Sequence, residues 1–321
     1  MICCAGWLTQ MTLDDDQHVI HPARMWLSSE VPLTVHLVTG RNYAVLIDSG
    51  VADMYGLIHD LIQTTVSDRH EVKLILNTHA HHDHIGCNAR LSGLTGALVG
   101  APAEHRAWHS DLETHYQEFA REHPELIPDT PALRAEVLAT IDGPRDVDLP
   151  VAEGQVLDLG GGVALEAVSL PGHMPDELGF IERQTRTLIL GDALTGVGWS
   201  FFHGYSDADV YEATLAKMRA IIQGNHIRLV RPAHYEELSA AEALAVLDRI
   251  AAGMAAVDSA IRQAARKQPR FSLRDMWLAV SHQLSKNTDF RGLRVVEAHL
   301  LRLQRLGEVR AVSAQEFQWA G

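Results

Sequence analysis

Residues 72–76 form a short apolar run, VKLIL, that leads without a break into NTHAHHDHIG. A run of this length and composition reads as a buried strand. Beyond it stand His79, His81, Asp83 and His84, in the spacing H-x-H-x-D-H, followed by Gly86. Imidazole nitrogen and carboxylate oxygen are the donors that suit zinc and other first-row cations. Four such groups within six residues of a loop cannot all point at one ion. Alternating residues face one side, so His79 and His81 can serve a first metal while Asp83 and His84 turn towards a second. The strand supplies a rigid base. His82 breaks no spacing and is read as a neighbour.

Three further candidates each follow a β-like run. His173 sits in LPGHMPDELGF, Asp192 in LILGDALTG and His234 in LVRPAHYE. Taken singly, they have ordinary explanations: a turn histidine, a helix N-cap aspartate, a surface histidine. Together, in order and all at strand ends, they fill the coordination that the four loop ligands leave open.

Around these motifs the pattern is mixed α and β. Residues 33–38 and 43–47 read as strands joined by a turn at Gly40–Asn42, the second ending in Asp48-Ser49-Gly50. Residues 55–66 carry apolar positions at helical spacing. Residues 103–140, polar and broken by Pro124, Pro128 and Pro131, read as an inserted helical cap, with His105, Trp108, His109 and His115 on its surface. Strands return at 155–159, 163–170, 178–182, 187–190 and 228–231, with a helix over 207–222. Residues 1–238 are thus expected to form one unit. From residue 239 the pattern turns helical. Ser239 to Glu242 is a capping box that opens a long helix to about residue 267, which either packs a dimer or bridges the two units. Two more amphipathic stretches, 271–284 and 293–306, and a short strand near 309–312 give a winged-helix-like order for 239–321.

Charge divides along the same line. The chain carries 41 acidic and 27 basic residues, a formal charge of -14. As a whole it is no binder of polyanions. Residues 262–310 nevertheless hold 11 Arg and Lys against 4 Asp and Glu. Such a stretch can grip nucleic acid, or it can be the outer face of helices that contact the acidic body or a second subunit. The lack of a base-reading signature favours the latter. Three cysteines, Cys3, Cys4 and Cys87, make no disulfide framework. The first residues lack the basic and apolar regions of a secretory signal, and no apolar run approaches the ~18 residues of a membrane span. The expectation is a cytoplasmic protein without a membrane partner.

The motifs THAHHDHIG, PGH, GDA and PAH, in this order, resemble the metallo-β-lactamase superfamily over roughly residues 30–240. The resemblance implies an αββα sandwich, with the site at one edge between two sheets. It assigns His79, His81 and His173 to one metal, Asp83, His84 and His234 to a second, and Asp192 to both. Asp48 matches a position behind the ligands. True β-lactamases of the superfamily usually lack the bridging aspartate, and the flavodiiron branch has Glu where His81 stands. A glyoxalase-II-like hydrolase, lactonase, thioesterase or nuclease is therefore favoured. The C-terminal stretch resembles the winged helix of some members, including an endoribonuclease-like group, whereas the insert resembles the segments that cover the cleft of thioesterase-like and lactonase-like members.

These readings imply two divalent ions, zinc by default and iron or manganese as fits to the same donors. A bridging water made acidic by the metals would attack a carbonyl of a small-molecule ester, thioester or lactone, or alternatively a phosphodiester. Asp83 or Asp192 would steer the proton. The aromatic stretch after Asp192 offers Trp199, Phe202, His203 and Tyr205 as substrate contacts.

Overall fold

In the computed structural model, which describes residues 19–194 and 196–321, the alternation of side chains along the strands sets two stacked sheets. The first has the order β1-β2-β3-β4-β5-β6, from β1 (Ile20–Trp26), β2 (Pro32–Thr39), β3 (Ala44–Ile47), β4 (Val72–Leu76), β5 (Leu98–Ala101) and β6 (Leu149–Pro150). Its first three strands are antiparallel and its last four parallel. The second has the order β12-β11-β10-β9-β8-β7, from β7 (Val156–Gly160), β8 (Val163–Ser169), β9 (Leu178–Glu182), β10 (Thr187–Leu190), β11 (Leu229–Pro232) and β12 (Leu238–Ser239). Within β2, Leu33, Val35 and Leu37 face one side and Val38 the other; within β3, Ala44 and Leu46 oppose Val45 and Ile47. This period of two lets each strand fill two cores at once. Val38, Val45, Ile47 and Leu76 meet Leu165, Ala167, Phe180 and Ile189 between the sheets. The outer face of the first sheet packs on α1 (Tyr55–Thr65) and α3 (Asn88–Thr95), beyond the short α2 (His82–Ile85).

The outer face of the second sheet is covered by α7 (Ala208–Gly224) and by the C-terminal elements. These are α8 (Ala240–Lys267), β13 (Arg270–Ser272), α9 (Leu273–Gln283), α10 (Phe290–Arg305), β14 (Val309–Ala311) and β15 (Glu316–Trp319), the three strands forming a small antiparallel sheet of order β13-β15-β14. The expected long helix is present, with the Ser239–Glu242 capping box at its start. Its apolar stripe, from Ala243 through Ile250 and Val257 to Ala265, is buried within the chain. Strands β1, β5, β6, β12, β13 and β15 escape the sequence pattern: His21, Pro22 and Arg24 break the apolar alternation of β1, and the others are too short for a period of two to show. One apolar core runs from Leu188 and Leu190 of the second sheet through Met218 to Val257, Val296 and Phe317.

The insert contains α4 (Ala107–Ser110), α5 (Leu112–Ala120) and α6 (Pro131–Leu138). Pro131 starts α6 behind the N-cap Thr130, where a missing N–H does no harm. The surface placement expected for Trp108, His109 and His115 is corrected by the structure. All three are buried, and His105 is half-buried. His115, Tyr116, Phe119 and Ala120 form one inward face of α5. The many polar letters of the insert lie on its outer face and hide that stripe. Cys3 and Cys4 lie outside the described residues; Cys87 is buried. Among the described residues no helix is long and apolar enough to cross a membrane.

Candidate metal centre

Strands β3, β4, β8, β10 and β11 all end at one edge of the sandwich. The loops leaving them bring Asp48, the 79–84 segment, His173, Asp192 and His234 together. Gly191 permits this closeness, since a Cβ there would meet the Thr78 hydroxyl at 2.3 Å. Ligand-type atoms of His79, His81, His173 and Asp192 lie within 4.8 Å of one another, and so do those of Asp83, His84 and His234. Asp192 stands between the groups. Its Oδ2 lies 3.3 Å from His173 Nε2, and its Oδ1 lies 3.2 Å from both His84 Nε2 and His234 Nε2. Asp83 Oδ2 lies 3.3 Å from His234 Nε2.

The rings are oriented from behind. His84 Nδ1 donates to Asp48 Oδ2 at 2.8 Å, His173 Nδ1 to the Gly204 carbonyl at 2.5 Å and His234 Nδ1 to the Pro32 carbonyl at 2.8 Å. Each bond places the proton on Nδ1 and leaves the Nε2 lone pair facing the site. His79 Nδ1 lies 3.1 Å from the Thr78 hydroxyl, which itself donates to Asp48. Asp48 also accepts the Thr78 N–H at 2.8 Å, and it holds a left-handed φ of 57° that is uncommon outside glycine. The cluster is thus fixed before any ligand arrives.

The donor atoms fit divalent cations. Among the described residues, His79 Nε2, His81 Nε2, His84 Nε2 and Asp192 Oδ1 are buried without a hydrogen-bond partner. Buried polar atoms are rarely left so unless an ion or water completes them. Burial, then the neighbouring His84, drives His79 well below the ordinary imidazole range. Burial also pushes His173 down, to about 3. Burial would lower His84 too, but the carboxylates of Asp192, Asp48 and Asp83 outweigh it and hold the ring well above its usual range. Burial would raise Asp192, yet His234, His84, His203 and His173 hold it well below. Ionised carboxylates beside imidazoles, some driven neutral by burial and others, His84 and His234, held up by those anions, form a metal-binding His/Asp cluster in which a cation can take the place of the protons.

The aromatic stretch divides. Trp199 and His203 line the cleft above the cluster, stacked with ring centroids 5.2 Å apart. His203 Nδ1 accepts the Gly196 N–H, so its Nε2 proton points to Asp192 Oδ2 at 2.8 Å. The expectation that Phe202 and Tyr205 also face substrate is corrected. Phe202 packs towards Gly292 and Trp277, and the Tyr205 hydroxyl bonds His299 Nε2 at 2.6 Å. Both line a separate cavity of about 200 Å³ beside α8. Phe201 takes the place on the cleft wall and also borders that second cavity.

Sequence reasoning missed Glu177. This fully buried carboxylate accepts the backbone N–H of Asp192 and of Ala193, both at 2.6 Å, and so fixes the Asp192 turn. Burial and the nearby Asp192 raise it well above the usual carboxylate range. It also missed the far walls. The insert contributes Phe119, 4.5 Å from the His81 ring, and Trp108 stacks on His81 at 6.0 Å. His105 ties the start of the insert to Asp176 at 2.9 Å. From the C-terminal elements come Asp289, Phe290, Arg291 and Arg294. No local signal marks any of these as site residues.

A family model described as the metallo-beta-lactamase superfamily matches residues 30–248. The chain belongs to this superfamily. A curated relative, hydroxyacylglutathione hydrolase GloC of Haemophilus influenzae, is 28% identical over 158 residues, 48% of this chain and 66% of the relative. The hydroxyacylglutathione hydrolase of a Polaromonas species is 28% identical over 165 residues, 51% of this chain and 49% of the relative. The chain thus spans less than two thirds of either relative. In overall shape it is similar to a metallo-beta-lactamase family protein of Thermus thermophilus, with TM-score 0.72 and 18% identity, covering 94% of this chain and 98% of the other. A beta-lactamase domain protein of Burkholderia ambifaria gives TM-score 0.67 at 17% identity, covering 93% and 92%. Both likenesses are of fold, and both extend through the C-terminal elements.

Proposed function

We propose that this superfamily member is a dinuclear-metal hydrolase that cleaves an ester, thioester or lactone bond. The observation that carries this reading is Asp192, whose two oxygens face two separate ligand groups on the floor of a cleft of about 610 Å³. The names of the curated relatives support an acyl bond as the target. His79, His81 and His173 would hold one ion, Asp83, His84 and His234 the other, and Asp192 both. Zinc is the default for this donor set, with iron or manganese as fits. When bound, such ions make a water acidic and polarise the scissile carbonyl.

The chain's own residues prepare the rest. Asp83 is the more open of the two carboxylates. Burial would raise it, but His84, His82 and His234 outweigh that and keep it ionised, so it can steer the proton of the attacking water. His203 holds Asp192 through its Nε2 proton. Trp199 and Phe119 exclude solvent above the cluster.

The basic C-terminal stretch favours this reading over a nuclease. Arg302 binds Asp209 at 2.7 Å and Glu212 at 2.5 Å, and Arg305 binds Asp207 and Asp209, both at 2.6 Å. Arg291 binds Glu136 and Arg294 binds Glu122. These four of its eleven basic residues thus face acids of the body. We read residues 239–321 as a winged-helix-like unit that walls the cleft, on a catalytic unit of residues 1–238 acting in the cytoplasm on a small molecule.

The test sets the metal-loaded protein beside Asp192→Ala on an acyl-thioester, a glutathione thioester, a homoserine lactone, an aryl ester and single-stranded RNA. Turnover of an acyl substrate that disappears in the variant supports the proposal. Cleavage of RNA alone, equally lost, overturns it.

A further inference from the structure

The far wall of the cleft says more about the substrate than the metal cluster does. Phe290 and Arg291 sit at the first turn of α10, and Phe119 of the insert meets Phe290 with ring centroids 5.1 Å apart. Phe201 joins them, its ring centroid 5.4 Å from the Arg291 guanidinium. The patch adjoins the first ligand group through Phe119, whose ring centroid lies 4.5 Å from that of His81.

Arg291 and Arg294 are the arginines on this wall, and no lysine lines the cleft. Both are already paired with acids. Arg291 Nη2 donates to Glu136 Oε1 at 2.7 Å and Nη1 to Asp289 Oδ2 at 3.3 Å, while the guanidinium lies 4.5 Å from the Phe290 ring centroid. Arg294 donates to Glu122 Oε2 at 3.0 and 3.2 Å and to the Glu118 carbonyl at 3.3 Å. Residues 1–18 and Thr195 contain no Arg or Lys that could supply another cation. A substrate carboxylate reaching this wall would compete with Glu136 and Glu122 for guanidiniums already paired and would meet Asp289 beside them, an exchange with little net gain. A neutral apolar group would instead cover aromatic surface and leave both ion pairs intact.

We infer that, within the hydrolase reading above, the substrate carries an uncharged group of aromatic size beside its scissile ester or thioester, held by Phe119, Phe201 and Phe290. Anionic thiol carriers such as glutathione, with carboxylates at both ends, are poor partners for this wall. The C-terminal elements are thereby specificity determinants, acting through the first turn of α10.

The experiment measures kcat/KM of the metal-loaded enzyme on four thioesters. Three are neutral: S-acetyl-N-acetylcysteamine as reference, S-phenylacetyl-N-acetylcysteamine with a phenyl on the acyl side, and S-benzyl thioacetate with a phenyl on the leaving side. The fourth is S-phenylacetylglutathione. One of the neutral phenyl substrates should exceed the reference by roughly 10- to 100-fold, the gain expected for burying one benzyl group, and should exceed the glutathione thioester. Phe201→Ala, on a half-buried loop position, and the conservative Phe290→Leu should each reduce the phenyl-to-acetyl ratio at least about threefold. Glu136→Gln frees Arg291 and should raise the rate on the glutathione thioester several-fold relative to its neutral counterpart. A ratio near one for both phenyl substrates, or a preference for the glutathione thioester in the unaltered enzyme, overturns the inference and leaves the hydrolase reading standing. No turnover of any thioester, ester or lactone by protein with both metals bound overturns the hydrolase reading itself, and this inference with it.

Discussion

The floor and the walls of the cleft are built from different material. On the floor, ligand-type residues come from four strand-end loops, and their rings are aimed by short bonds to carbonyls and buried carboxylates of neighbouring strands. The walls come from three segments far apart in the chain: the insert, the loop after Asp192, and α10. Their mutual ties are ion pairs of partly exposed side chains, Arg291 with Glu136, Arg294 with Glu122 and His123 with Glu297. A floor tied into a double sheet is rigid, as catalysis needs. The loop after Asp192 belongs to both floor and wall, since His203 bonds Asp192 and the Gly204 carbonyl orients His173, whereas the ion pairs between the insert and α10 touch no ligand-type residue and can change without disturbing the floor.

The largest expected effect attacks the floor. Asp192→Ala removes the one carboxylate shared by both ligand groups, and hydrolysis should fall by at least about a thousandfold, with less than one ion per chain retained by elemental analysis. Full activity in that variant would deny the floor its role. Asp48→Asn tests the support beneath. It keeps the shape but loses the anion that accepts the His84 Nδ1 proton, and metal affinity should drop roughly 10- to 100-fold in a chelator competition.

Smaller effects probe the ties. Arg302 is buried and joins α10 to Asp209, Glu212 and Asp258. Arg302→Met should lower the stability measured in urea by roughly 1–3 kcal/mol, less than for a fully buried pair because Asp209 and Glu212 still reach solvent. The smallest effect is a pH dependence. The bond to Glu297 holds His123 above the ordinary imidazole range despite partial burial. A raised folded-state pKa stabilises fully below the unfolded value, about 6.5, and that stabilisation fades as pH climbs through the raised one. The Tm difference between the unaltered protein and His123→Gln should therefore be greatest near pH 6 and vanish at alkaline pH. A difference that grows with pH would remove this tie from the account.

Legibility follows the same division. His79, His81, Asp83 and His84 share one loop, and His173, Asp192 and His234 each follow a strand-like run, so local spacing carries them. Glu177 was not legible: nothing in LPGHMPDELGF separates it from its neighbour Asp176, yet one holds the Asp192 turn and the other a histidine of the insert. Phe201 and Phe202 show the same limit. Adjacent and identical, they differ in reach: Phe201 lines both the cleft and the cavity beside α8, whereas the buried Phe202 lines only the latter.

The sequence by itself determined the strands that carry the site, the capped long helix and the seven metal-ligand candidates, because each depends on periodicity or spacing within a short segment. Only the tertiary structure decided that Glu177 holds the Asp192 turn, which aromatics line the cleft, and that Arg291, Arg294, Arg302 and Arg305 pair with acids of the body. Those outcomes depend on distances between segments up to about 170 residues apart, such as Glu122 and Arg294. Chain folding sets such distances, and no local pattern records them.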